Sequence, residues 1–312
     1  MLIRLLTMVP AGFVLVFGAV ALTGCGLGAG PAPSGVQLTV TRDFGARVLS
    51  HSDAPRVVGQ ETAMSLLLRN DTVTTRFGGG FVESIDGLSG GQEGGAPVDW
   101  FYYVNGVEAP KGAAVTNVDP GDHVWWDHHD WSQTEDVPAV VGSFPEPFLN
   151  GIAGKRLPVR VECTSAGGAC ETVASRLRGV GVPAAVAAIG SGGGPETLRV
   201  MVGTWAELEG EPDAQTIERG PRASGVYARF SRGGQTLVLL DQDGRIVQTL
   251  TGGAGLVAAV RHGEEAPVWV VSGTDEAGVE LAAGAFDAST LDDHFAVALT
   301  PGGAVAVPET GR

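Results

Sequence analysis

Gly121-Asp122-His123-Val124-Trp125-Trp126-Asp127-His128-His129-Asp130-Trp131 (GDHVWWDHHDW) holds three of the chain's six histidines and three of its six tryptophans. A Pro-Gly-Asp turn signal leads into it, and its aromatic content predicts a strand beginning at His123. Successive side chains of a strand point to opposite faces. His123, Trp125, Asp127 and His129 therefore share one face, and Val124, Trp126, His128 and Asp130 share the other. The adjacent His128 and His129 point apart and cannot chelate one ion. Each of the pairs Asp127/His129 and His128/Asp130 offers two ligands, whereas zinc takes three or four. Asp127 and His129 are metal candidates only if His51, His262, His294 or an acid elsewhere completes the set.

The aromatic run Trp100-Phe101-Tyr102-Tyr103-Val104 is a second strand, closed by the turn signal Asn105-Gly106. Trp100 and Tyr102 share one face, Phe101 and Tyr103 the other. With aromatics on both faces, one face is core and the other meets a partner. That partner is the second half of the chain, the connector carrying Phe144 and Phe148, or an external ligand. For an external ligand, Trp100, Tyr102, Trp125 and Trp126 are the candidate binding wall.

Outward from these strands, Val36–Arg42 alternates as a strand and Gln60–Arg69 carries apolar residues at helical spacing. Phe81–Ile85 reads as a further strand. Strands, one helix and more strands within residues 36–130 predict a small α+β domain. Residues 131–156 are punctuated by proline yet carry Phe and Val, which predicts an ordered connector packed against the flanking domains. In residues 157–312, PVRVEC, PAAVAAI, TLRVMVG, QTLVLLD and APVWVVSG alternate with the helix patterns ETVASRLRGVG, PDAQTIERG and DEAGVELAAGAF. That alternation predicts an α/β domain with a mostly parallel sheet. Thr274 or Asp275 would cap its last helix.

Three motifs of the first half, FGGGFVESIDGL (77–88), WFYYVNGV (100–107) and VDPGDHVWW (118–126), resemble the small domain at the C-terminus of transcobalamin and intrinsic factor. Bacterial copies of that domain form a family known as domain of unknown function 4430. The resemblance spans about residues 36–130 and implies a β-grasp-like fold. It also suggests a corrinoid ligand, because in the vitamin carriers this domain closes over cobalamin with a helical barrel. Residues 157–312 lack long amphipathic helical repeats, so a partner protein would have to supply that half of the site.

The amino terminus speaks to location. Arg4 precedes the apolar run Ala11–Ala21, which is too short for a stable membrane helix. Leu22-Thr23-Gly24-Cys25 then resembles a bacterial lipobox. Residues 1–24 are thus expected to be a lipoprotein signal peptide, with Cys25 diacylated and residues 25–35 a flexible tether. Two acyl chains, at ~0.8 kcal/mol per buried CH2, suffice to anchor the protein to the extracytoplasmic face of the cell membrane. Export fits the remaining cysteines: Cys163 and Cys170 are an even pair in an oxidising compartment, and a disulfide there would staple a strand-to-helix loop. A redox-active pair would favour two intervening residues rather than six.

A formal net charge of −15 argues against nucleic acid as a partner. Gly87-Leu88-Ser89-Gly90-Gly91 satisfies G-x-S-x-G, but a polar glycine-rich loop follows where a nucleophile elbow needs a helix. No P-loop pattern occurs, and the glycine runs near Gly192 and Gly252 are not in dinucleotide-binding order. Asp241-Gln242-Asp243-Gly244 reads as a hairpin turn, because the downstream acidic ligand of a calcium loop is missing. These readings converge on a membrane-anchored, non-catalytic lipoprotein without a cofactor. It would bind a small molecule, with a corrinoid among the candidate substrates of an uptake system, or a protein partner such as a transporter. The alternatives are a metal-dependent hydrolase using Asp127 and His129, and an envelope scaffold with no small ligand.

Overall fold

In the computed structural model, residues 35–54, 56–165 and 167–309 are described. The expected signal peptide at residues 1–24, the expected acylation site Cys25 and all but the last residue of the expected tether lie outside these residues. Among the described residues no helix is long and apolar enough to cross a membrane.

The chain forms an α+β structure with mixed sheets. In the first half, strand His123–Asp130 lies at the centre of a sheet. On one side it runs parallel to Val36–Arg42, with Gln37 opposite His123 and Arg42 opposite His128. On the other it runs antiparallel to Ala96–Val104, with Tyr102 opposite Trp126 and Tyr103 opposite Trp125. Arg47–Ala54 extends the sheet beyond Val36–Arg42. Helix Ala63–Asn70 starts where Thr62 Oγ1 accepts from the Ser65 amide while Ser65 Oγ accepts from the Thr62 amide, a reciprocal cap. It buries Ala63, Met64, Leu66 and Leu67 on Val36, Leu38, Val124 and Trp126. Asn105 and Gly106, at φ 54° and 73°, make the expected tight turn into Val107–Glu108.

The second half is built on a seven-stranded sheet. From one edge the order is Ala184–Ala188, Val159–Cys163, Leu198–Thr204, Val268–Gly273, Gly255–Val260, Ala296–Thr300 and Gly303–Val307. The first three pairings are parallel and the last three antiparallel. The sheet is therefore mixed, not mostly parallel as the helix–strand alternation suggested. The reason is connection length: residues 261–267 and 301–302 are too short for a crossover and can only return the chain antiparallel. Helices Gly168–Gly179 and Glu276–Gly284 cover one face over Val161, Val200, Trp269 and Val271. Asp275 caps the second of these by accepting from the Gly278 amide. Gly278 is required where this helix meets the sheet, since a Cβ there would lie 2.2 Å from the Ala254 carbonyl oxygen. The opposite face is covered by helix Pro212–Glu218 and by a three-stranded sheet of Ala228–Phe230, Thr236–Leu240 and Ile246–Thr251.

The described residues form a single compact unit. Phe44, Tyr103 and Trp125 of the first half share one apolar cluster with Met201, Trp205, Tyr227 and Phe295 of the second. The 131–156 segment threads between them. Its Val137 and Val140 enter that shared cluster, whereas Phe144 and Phe148 pack on Trp269 and Phe286.

Candidate functional site

Strand His123–Asp130 is buried along its whole length, and its two faces do different things. Toward the helix of the first half, Tyr102 stacks on Trp126 at 4.7 Å and Trp100 meets His128 edge-on at 5.0 Å. The Tyr102 hydroxyl bonds Thr116 Oγ1 at 2.8 Å, and the Trp100 indole donates to the Leu88 carbonyl at 3.0 Å. Toward the second half, Trp125, Asp127 and His129 form a seam. His129 is stacked between Phe44 and Phe101, each at 4.4 Å, while Phe295 packs edge-on against Trp125 and His129. The four aromatics read as a binding wall therefore do not line an open groove. Trp100, Tyr102 and Trp126 are core on one face, and Trp125 is fully buried on the other. The surplus aromatic face meets the chain's own second half.

The Asp127 carboxylate ties this seam together. Its Oδ1 accepts from the Phe44 amide at 3.0 Å and pairs with His129 Nδ1 at 2.7 Å. Its Oδ2 accepts from the Gly45 amide at 2.9 Å and from the Thr41 hydroxyl, which in turn accepts from the Trp125 indole at 2.7 Å. Asp43, Phe44 and Gly45 all have positive φ, which turns both amides toward the carboxylate. Only glycine fits at 45, because a Cβ would lie 1.8 Å from the Asp293 carbonyl oxygen. Asp127 and His129 are thus engaged with each other and with backbone donors, and neither carboxylate oxygen is free for an ion. Among the described residues no group of three or more His, Cys, Asp and Glu is placed to hold a metal. His123, beside His51 and hydrogen-bonded to Thr39 Oγ1 at 2.9 Å, is pushed down to about 4, chiefly by burial, and stays neutral.

An open cavity of about 380 Å³ lies between residues 104–119 of the first half, Ile152 and Ala153 of the connector, and Arg261 and Glu264 of the second half. The Asn105-Gly106 turn projects Val107–Glu108 toward the connector, and Val107 bridges to Ala139. Asn105 fixes the turn from inside, donating to Asp122 Oδ1 at 2.7 Å and the Gly151 carbonyl at 2.8 Å. Val104, Val107, Ala109, Pro110 and Ile152 give the cavity an apolar lining, while Glu108, Lys111, Asp119, Arg261 and Glu264 bring charge. Arg261 comes from the second half, just beyond strand Gly255–Val260. Burial, with the Asp136 charge second, raises the Glu108 carboxyl to about 7, against the opposing Val137 amide and Arg261 charge. An apolar hollow with a few convergent polar groups, one of them perturbed, is the usual form of a small-molecule site. Sequence reasoning missed it because its walls come from residues 104–119, 152–153 and 261–264, which share no motif.

A second cleft of about 520 Å³ opens at the ends of strands Val159–Cys163 and Leu198–Thr204. The chain leaves Cys163 for one side of the sheet and returns on the other, the topological switch where open α/β sheets hold ligands. The Cys163–Cys170 disulfide closes the loop beneath it, as the sequence implied. Its polar groups are matched internally: the Thr164 and Thr204 hydroxyls both donate to Glu207 Oε2, at 2.9 and 2.8 Å. Ser89, in the G-x-S-x-G stretch, sits in a short strand of a hairpin and not at a strand-to-helix elbow. The Asp241–Gly244 stretch turns between two antiparallel strands, as expected.

The chain is thus an α+β structure whose halves share a core, with a partly apolar cavity at their junction. Residues 60–130 match the family model described as a domain of unknown function (DUF4430), the bacterial family expected from the three motifs. No curated protein is significantly similar to the chain. Among solved structures, a protein from Ruminococcus gnavus provisionally described as metal binding is 14% identical. It covers 31% of this chain and 97% of its own, with a TM-score of 0.25.

Proposed function

We propose that this chain is a non-catalytic binding protein that holds a small molecule in the cavity between its halves. The observation that carries this reading is the cavity itself: apolar side chains from the first half and the connector face a charged rim to which Arg261 of the second half contributes. On this reading the aromatic seam holds together the two halves that wall the cavity, and residues 36–130 are a β-grasp-like module of the transcobalamin C-terminal type. Acylation at Cys25 would hold the protein on the extracytoplasmic face of the membrane, where a bound molecule could pass to a transporter. At about 380 Å³ the cavity suits the lower end of drug-sized ligands, so it would enclose only part of a corrinoid. The metal-dependent hydrolase gains no support from Asp127 and His129, which are buried and engaged in the seam.

The test is titration of purified protein with 8-anilinonaphthalene-1-sulfonate, an apolar probe with an anionic group. Saturable fluorescence enhancement is expected, weakened at least tenfold by Ile152→Asp with the circular dichroism spectrum unchanged. Enhancement indifferent to Ile152→Asp would overturn the assignment of the cavity.

A further inference from the structure

Among the described residues every aromatic ring is buried or half-buried except two, Phe77 and Phe81. They flank the glycines 78–80 in the turn between antiparallel strands Val73–Arg76 and Phe81–Ile85, with ring centroids 6.3 Å apart. Phe77 is 87% exposed and sits at φ 52°. A bulky residue at positive φ is strained, and here the strain holds a large apolar ring in water, where it adds nothing to the core. The charge beside the turn is neutralised within the hairpin, since Arg76 pairs with Glu83. What the turn presents is therefore apolar.

The turn is joined to the place where the chain leads back to Cys25. Strand Val36–Arg42 begins at the end of the sheet where Ala96–Val104 finishes, with Gln37 opposite His123 and Val104 opposite Val124. At that end, residues 112–121 run from the phenylalanine turn to Gly35, the first described residue. A Cβ on Gly112 would lie 3.3 Å from the Gly80 carbonyl oxygen, and the Gly121 amide donates to the Gly35 carbonyl at 2.7 Å. Between these points Val115 is 68% exposed. The Val118 amide donates to the Glu61 carbonyl at 3.0 Å, and Glu61 Oε2 accepts from the amide of exposed Val58 at 3.0 Å. The nine-residue step from Gly112 to Gly121 spans at most ~30 Å, and the ten peptide units from Gly35 back to Cys25 at most ~36 Å.

We propose that the Phe77–Phe81 turn dips its two rings into the interface of the bilayer to which Cys25 tethers the chain. The tether's position rests on acylation at Cys25, proposed above, and the insertion is tested apart from it. A flexible diacyl tether alone leaves the protein free to tumble above the membrane, whereas apolar side chains seated at the boundary of head groups and acyl chains fix which way it faces. A second copy or a protein partner would also cover the rings. The exit of a short tether at the same end of the sheet makes the lipid surface the one they meet.

The chain from Cys25 contains every described residue, and Cys25 is the one cysteine of three outside the Cys163–Cys170 disulfide. Its thiol can be coupled to a maleimide phospholipid in phosphatidylcholine vesicles, which supplies the tether independently of acylation. Phe77→Trp places a fluorophore on the turn, and Val247→Trp places one at an exposed apolar position of the second half. Interfacial apolar side chains lie roughly 5–10 Å deep, so bromine near the top of the acyl chains should quench the emission added by Phe77→Trp about twofold or more. The emission added by Val247→Trp should be unchanged. No quenching at position 77, or equal quenching at 247, overturns the insertion. Unquenched emission at 77 that shifts to the blue as protein concentration rises overturns it in favour of a second copy. Cys25 recovered from membranes without acyl mass would overturn the natural tether, while the quenching still decides the insertion.

Discussion

Replacing Asp127 by Asn keeps the shape of the seam's central side chain and removes one of its two acceptor oxygens. The carboxylate accepts the Phe44 and Gly45 amides on different oxygens, at 3.0 and 2.9 Å. Whichever way an asparagine amide is turned, its NH2 faces one of these backbone donors, leaving a fully buried N–H without an acceptor. That costs about 1–3 kcal/mol. The weaker, uncharged bond to the other amide adds roughly 1 kcal/mol. Thr41 and His129 soften the loss, since the hydroxyl can turn and the imidazole can change tautomer. The expected sum is a loss of about 2–4 kcal/mol. Urea unfolding followed by tryptophan fluorescence reads it directly, because Trp125 belongs to the same network. The midpoint should fall with the denaturant slope unchanged. Stability within 0.5 kcal/mol of the parent would refute the reasoning. A metal-site reading anticipates the opposite sign in metal-free protein, where neutralising a vacant carboxylate ligand relieves unpaired charge.

Other outcomes follow from the same geometry. Replacing Cys163 and Cys170 together by alanine should cost about 2–3 kcal/mol through the opened loop, read as a lower urea midpoint; no change would mean that the loop is held without its staple. Gly45→Ala should destabilise by more than 2 kcal/mol, because the new Cβ meets the Asp293 carbonyl at a backbone angle favouring glycine; a neutral result in thermal melts would show that the turn is free to move. Glu108 carries a pH signature. Its folded-state carboxyl, at about 7, lies above its ordinary 4.5, so its contribution is complete below pH 4.5 and is lost as pH rises through 7. Glu108→Gln should therefore raise stability above pH 7, by on the order of 1–3 kcal/mol, and flatten the profile between pH 4.5 and 7; parallel profiles would contradict the assignment.

Much of the first half is legible in the chain because local signals and tertiary structure agree there. The apolar spacing of Gln60–Arg69 became helix Ala63–Asn70, and Asn105-Gly106 became a tight turn. Alternation placed Trp125 and Trp126 on opposite faces, as found, and anticipated that the second aromatic face would be covered. What could not be read was the partner of that face, since Phe44, Tyr227 and Phe295 are distant in sequence and carry no pattern. In the second half, Gly255–Val260 and Ala296–Thr300 are small-residue apolar runs without alternation, and missing them made the sheet look more parallel than it is. The cavity was illegible for a related reason. It is made by the junction of three separate segments, and its informative residues, Glu108 and Arg261, are ordinary surface charges until folding brings them together.

The most direct measurement is hydrogen–deuterium exchange of the purified protein with and without saturating anilinonaphthalene sulfonate. The account expects protection confined to residues 104–119 and 261–264, on the walls of the cavity, with strand His123–Asp130 slow to exchange in both states. Protection centred on residues 164–170, at the disulfide-stapled cleft, or none anywhere, would contradict it.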